Sequence, residues 1–178
     1  MKRFSAVLLV AGAVALSGCG SGSPTVSAAS WVRSFCVVAT SLRNGIRSAG
    51  TTLPTQITSI QQAKADVIAF VSAVGKATAS AESRLKATGT PKVPNGGQIA
   101  SAAVSSLTKS KGILAQAARK AAGLPTSSKQ AFASATNHVV ALLRQSRVGL
   151  TSLVSQNSAQ LNAAAAKDST CQALAAGG

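Results

Sequence analysis

The chain has 178 residues, 18 Lys and Arg against three Asp and Glu, and a formal net charge of +15. Three acids are too few for a paired-carboxylate enzyme or a calcium cage, and one His cannot build a multi-histidine metal centre. At 46% hydrophobic the chain is too apolar for a disordered basic tail, and at 3% aromatic its core must rely on small aliphatic side chains.

Lys2 and Arg3 form a positive start, and Phe4 to Leu16 form an apolar stretch. A bilayer span takes about 20 residues, so this stretch reads as a secretory signal rather than a span. It ends in Leu16-Ser17-Gly18-Cys19. That sequence resembles the lipobox of bacterial lipoprotein signal peptides. The resemblance covers residues 1–19. It implies cleavage before Cys19, a diacylglyceryl group on the Cys19 sulfur, and an acyl chain such as palmitate on the new amino terminus. It also implies an extracytoplasmic protein anchored to the cell membrane, because two or three acyl chains hold where one is marginal. The expected organisation is a signal peptide over 1–18, a lipidated flexible tether over 19–29 and one domain over 30–178. Gly20 to Ala29 is Gly- and Ser-rich, which suits a tether.

With Cys19 lipidated, Cys36 and Cys171 remain. Two thiols in an oxidising compartment predict one disulfide that closes nearly the whole domain. The alternative is two separate buried thiols. A metal site falls short of four ligands, and no metal or other cofactor is expected.

Four helical segments follow, separated at Pro and Gly. The first spans about Ser30 to Ala49, with Trp31, Phe35, Val38, Leu42, Ile46 and Ala49 on one face. The second spans about Thr55 to Ala87. Its seam of Ile57, Ile60, Lys64, Val67, Val71, Val74, Thr78, Ala81 and Leu85 steps by three and four, with two polar interruptions. Thr88 to Gly97 carries two Pro and three Gly and is the strongest break. The third spans about Gln98 to Ala122, with Ile99, Ala103, Leu107, Leu114, Ala118 and Ala121 inward. The fourth spans about Ser128 to Leu174 as one rod, along Thr136, Val139, Leu143, Ser146, Leu150, Leu153, Asn157, Leu161 and Ala164, with Gly149 a candidate kink.

Short connections make successive helices antiparallel, so the expected fold is an all-α, up-down-up-down four-helix bundle closed by one disulfide. Cys36 near the start of the first helix and Cys171 near the end of the fourth then meet at one end. The tether and the 88–97 loop share that end and face the membrane. Loops 50–54 and 123–127 face away.

His138 is the one neutral-pH base, and it has no carboxylate near it in sequence. A catalytic role requires Asp66 or Glu82 to approach it across the bundle; an ordinary exposed helix residue is the simpler reading, and no enzyme is expected. Haem ligation by this His lacks the aromatic and Met lining such a pocket needs. The charge is the oddity. Sixteen cations and all three acids follow Cys19, leaving +13. Arg43 and Arg47, Lys109 and Lys111, Arg119 and Lys120, and Arg144 and Arg147 make local pairs. These are the candidate contacts to a polyanion, either anionic lipid headgroups or a wall polymer, and the plain alternative is a solvated basic surface with no partner. Specific nucleic-acid binding is not expected, because stacking aromatics are nearly absent. A protein partner is the other outlet for such a surface.

Beyond the lipobox, the start from Trp31 to Cys36, the Thr90-Pro91 to Gly96 break and the Ala-rich end around Cys171 resemble small helical lipoproteins and secreted proteins of high-GC Gram-positive bacteria. The expected function is a non-enzymatic, lipid-anchored envelope protein that contacts anionic polymers or a protein. The alternative is a carrier of an apolar ligand between loosely packed helices.

Overall fold

In the computed structural model the described residues are 24–54, 56, 58–146 and 158–176. The signal segment, Cys19, Thr55, Ile57, Arg147, Gly149, Leu150, Leu153 and Asn157 lie outside them. The described chain is all-helical apart from two strands of two residues each. In order it runs β1 (Thr25–Val26), α1 (Ala28–Thr51), α2 (Ile60–Ala87), β2 (Thr90–Pro91), α3 (Gly96–Ala122), α4 (Lys129–Gln145), α5 (Ala159–Lys167) and α6 (Ser169–Ala176).

Side-chain caps set several helix starts. The hydroxyls of Ser27, Ser59, Ser128 and Ser158 accept from the backbone N–H three residues on, in α1, α2, α4 and α5. The second helix therefore begins at Ile60 and not at Thr55, because Ser59 supplies a cap that a start at Thr55 would bury inside the helix.

Helix α1 packs on α2 and on both C-terminal helices, α2 packs on α3, and α3 packs on α4. One part of the core joins Trp31, Phe35 and Leu42 of α1 to Leu85 of α2, Leu107 of α3 and Leu161 of α5. A second part joins Val71, Ala117, Ala121, Leu124 and Val139, and Ala49, Val74 and Leu114 lie between the two. The chain is short of large side chains, and the helices compensate by closeness. A Cβ on Gly45 would stand 2.9 Å from the Ala77 Cβ, so α1 and α2 touch almost backbone to backbone there.

Two inward faces differ from the periodic reading. Ile46 is 40% exposed, while Val32, Cys36 and Ala39 are buried, because α1 lies between two sets of neighbours and needs a broader apolar face. In α3 the register favours Ala117 over Ala118: Ala117 is fully buried and Ala118 is exposed. The two polar interruptions of the α2 seam are both satisfied. Thr78 donates to the Val74 carbonyl, and Lys64 Nζ donates to the Leu124 carbonyl at 2.9 Å.

The fourth rod is not continuous. Helix α4 ends at Gln145, Ser158 is extended, and Asp168 is extended again between α5 and α6. The Asp168 carboxylate accepts from the N–H groups of Thr170 and Cys171, so the side chain offers the backbone an alternative to continuing the helix. That break turns α6 toward α1, where Cys171 bonds Cys36 with Cα atoms 5.2 Å apart.

The segment expected to be a free tether is engaged from Pro24 onward. Thr90 N–H donates to the Pro24 carbonyl and Lys92 N–H to the Val26 carbonyl, which pairs β1 with β2 in parallel. Gly89 makes this approach feasible. Its φ is +83°, and a Cβ there would stand 2.2 Å from the Pro24 oxygen. The Gly89 carbonyl in turn accepts from Trp31 Nε1 at 3.2 Å. Among the described residues no helix is long and apolar enough to cross a membrane.

Candidate functional site

Charge defines the candidate surface, and the three acids show how little of it is neutralised. Glu82 sits on the inward side of α2 with a buried side chain. Its carboxylate accepts from Lys111, from Lys86 Nζ at 2.6 Å and from Thr108 Oγ1 at 2.9 Å. The Lys111 and Lys86 ammonium groups and the Thr108 hydroxyl hold the carboxyl down to about 2 from an ordinary 4.5, against burial, which would raise it. Asp168 lies 3.2 Å from Arg33 Nε. Burial alone would raise its pKa; the Cys171 N–H, the Arg33 guanidinium and the Thr170 N–H together hold it below the usual carboxylate range. Asp66 accepts from Gln62 Nε2 at 2.8 Å.

Because the folded Glu82 carboxyl ionises below its unfolded value, its stabilising effect is full above pH about 4.5 and drains away as pH falls toward about 2. Asp168 acts in the same direction. The thermal midpoint is expected to fall through that window. Glu82→Gln is expected to lower the neutral-pH midpoint and flatten the acid limb. An equally steep limb in the variant would remove Glu82 from the explanation.

Two of the eight residues expected to meet a polyanion are taken up inside the molecule. Arg43 Nη1 donates to the Leu174 carbonyl at 3.0 Å and ties α6 to α1, while Lys111 is held by Glu82. Arg47, Lys109, Arg119, Lys120 and Arg144 are exposed, and none has an acidic partner among the described residues. Sequence spacing could not separate these groups, because pairing with an acid depends on which helix lies opposite.

His138 is exposed on α4, and no hydrogen bond or ion pair among the described residues joins it to Asp66 or Glu82. No cluster of three or more His, Cys, Asp and Glu side chains able to hold a metal occurs among the described residues. A groove of about 530 Å³ opens between the end of α2 and the start of α3, lined by Leu85, Lys86, Gly89, Thr90, Ser101 and Val104 among others. It is open to solvent and mixed in polarity, unlike the enclosed apolar chamber that a lipid carrier needs. No protein-family model, curated protein or solved structure matches the chain.

Proposed function

We propose that this chain is a non-enzymatic, lipid-anchored envelope protein whose folded part contacts anionic polymers outside the cytoplasm. The observation that carries the proposal is the imbalance of charge after internal pairing. Glu82 and Asp168 are consumed by Lys86, Lys111 and Arg33, and exposed cations remain with no acid to neutralise them. Such a surface attracts polyanions over a range of about one Debye length, near 8 Å at physiological ionic strength.

The proposal includes an up-down-up-down bundle in which α4 and α5 together serve as the fourth rod. The contacts that support it run between opposite halves of successive helices: Leu85 of α2 clusters with Ile99 of α3, and Val71 of α2 with Ala117 of α3. It also includes an acylated Cys19. From Cys19 to Pro24 is five residues, a leash of at most about 18 Å. Pairing of β1 with β2 thus keeps the disulfide end of the domain close to the lipid.

Two measurements test this reading on the full chain. Mass spectrometry of the membrane fraction is expected to find Cys19 at the amino terminus with its acyl groups, and Cys19→Ala is expected to release the protein. Retention on long-chain inorganic polyphosphate is expected to weaken sharply between about 50 and about 200 mM salt. Retention that ignores salt, or a soluble and unmodified wild type, would defeat the proposal.

A further inference from the structure

Several exposed cations gather around one loop. Arg119 and Lys120 occupy the last turn of α3, and Lys129 opens α4 across the loop 123–128. Lys64, near the start of α2, reaches the same loop through the Leu124 carbonyl. Leu124 itself is 3% exposed, wedged with Val71, Ala117, Ala121 and Val139, so the loop backbone is pinned. Four cations therefore surround one fixed loop. The acid nearest them in the chain is Asp66, which Gln62 engages. At the opposite end of α3, Asp168 offsets Arg33 while Lys92 and Lys167 stay exposed without an acidic partner among the described residues, and farther along α2 Glu82 offsets Lys86 and Lys111.

We infer that the loop 123–128 and its flanking Arg119, Lys120 and Lys129 form the docking surface for a phosphate-bearing polymer that stands clear of the anchoring bilayer. The inference rests on the anchored, polyanion-binding reading above and adds the place and the partner. Distance selects the partner. Helix α3 has 27 residues and is about 40 Å long. The paired N-terminal strand sits beside its beginning, and the basic loop sits at its end. A domain leashed at the first end and standing upright presents the second several Debye lengths beyond the headgroups, where lipid charge no longer reaches it. A flexible polymer of phosphodiesters can enter that space and follow separate point charges without needing a concave pocket.

The test uses the full lipidated chain in neutral phosphatidylcholine vesicles, with long-chain inorganic polyphosphate as one probe and separate anionic phosphatidylglycerol vesicles as the other. The variant R119Q/K120Q/K129Q removes three charges at the loop and leaves Lys64 to hold Leu124. K76Q/K92Q/K167Q removes three exposed charges elsewhere. The loop variant is expected to bind at least about tenfold more weakly, with its log-affinity slope against log salt reduced by about 2. The control is expected to change by less than about threefold. Equal losses in the two variants would overturn the loop assignment while leaving the polyanion reading intact. A wild type that ignores polyphosphate at low salt would instead overturn that reading. A loop variant that loses only its hold on anionic vesicles, with polyphosphate binding unchanged, would make lipid the partner and overturn the inference. Helical circular dichroism of both variants reports whether they are folded.

Discussion

Cys36→Ser/Cys171→Ser is expected to lose up to about 5 kcal/mol of stability. The two cysteines are 135 residues apart, and cross-linking a loop of that size removes a large conformational entropy from the unfolded chain. For a domain of this size the thermal midpoint is expected to drop by roughly 10 to 20 °C. The loss has a local part as well. Helices α5 and α6 have nine and eight residues, too short to persist without tertiary contacts. Without the bridge, α6 keeps the Arg43 bond to the Leu174 carbonyl and the Asp168–Arg33 pair. Helix α5 keeps Leu161, which is fully buried. Amide exchange is therefore expected to rise first in residues 169–176, with α2 and α3 still protected. Uniform acceleration across all helices would show that the bridge acts on the unfolded chain alone. An unchanged midpoint would contradict the entropic account.

Trp31→Ala is expected to cost about 3–5 kcal/mol, the range for emptying a large aromatic site in a core. Trp31 is 1% exposed and stacks on Phe35 with ring centroids 5.3 Å apart. The chain has few large side chains, so little nearby could collapse into the void. Trp31→Phe separates packing from polarity. It retains most of the ring but leaves the Gly89 carbonyl without its indole donor, at about 1–3 kcal/mol. Since Gly89 also receives Pro24, the Phe variant is expected to loosen β1 selectively. Faster exchange of the Lys92 amide, which donates to Val26, would register that loosening. Equal destabilisation by Ala and Phe would mean that the hydrogen bond, and not the ring, dominates at this position.

Much of the architecture was legible in the residues. The three-four spacing of α2 placed Val71, Val74, Thr78, Ala81 and Leu85 inward, and all five are buried. Cysteine number, with an oxidising compartment as the expectation, pointed to the Cys36–Cys171 bond that the structure contains. The break at 88–97 was also evident, but its content was not. A Gly/Thr/Pro run reads equally as a loop or as the acceptor of a strand, and only the arrival of Pro24 decides between them. The interruption of the fourth rod had a signal in Ser158 and in Asp168-Ser169-Thr170, residues that favour caps over helix interiors. Hydrophobic period outweighed it, because Leu161 and Ala164 continue the stripe whether or not the helix does.

The candidate surface divides in the same way. Composition alone establishes a large positive excess, because 18 cations cannot be balanced by three acids in any fold. Helical period points to helices, because it acts through spacing along the backbone, while the cysteines left after Cys19 made a closing bond the expectation over two separate thiols. Only tertiary structure decided that Arg43 and Lys111 are spent on internal partners while Arg119, Lys120 and Lys129 surround one pinned loop. A charge is neutralised by what lies across from it, and neighbours across helices are set by packing register, which residue order along a single helix does not contain.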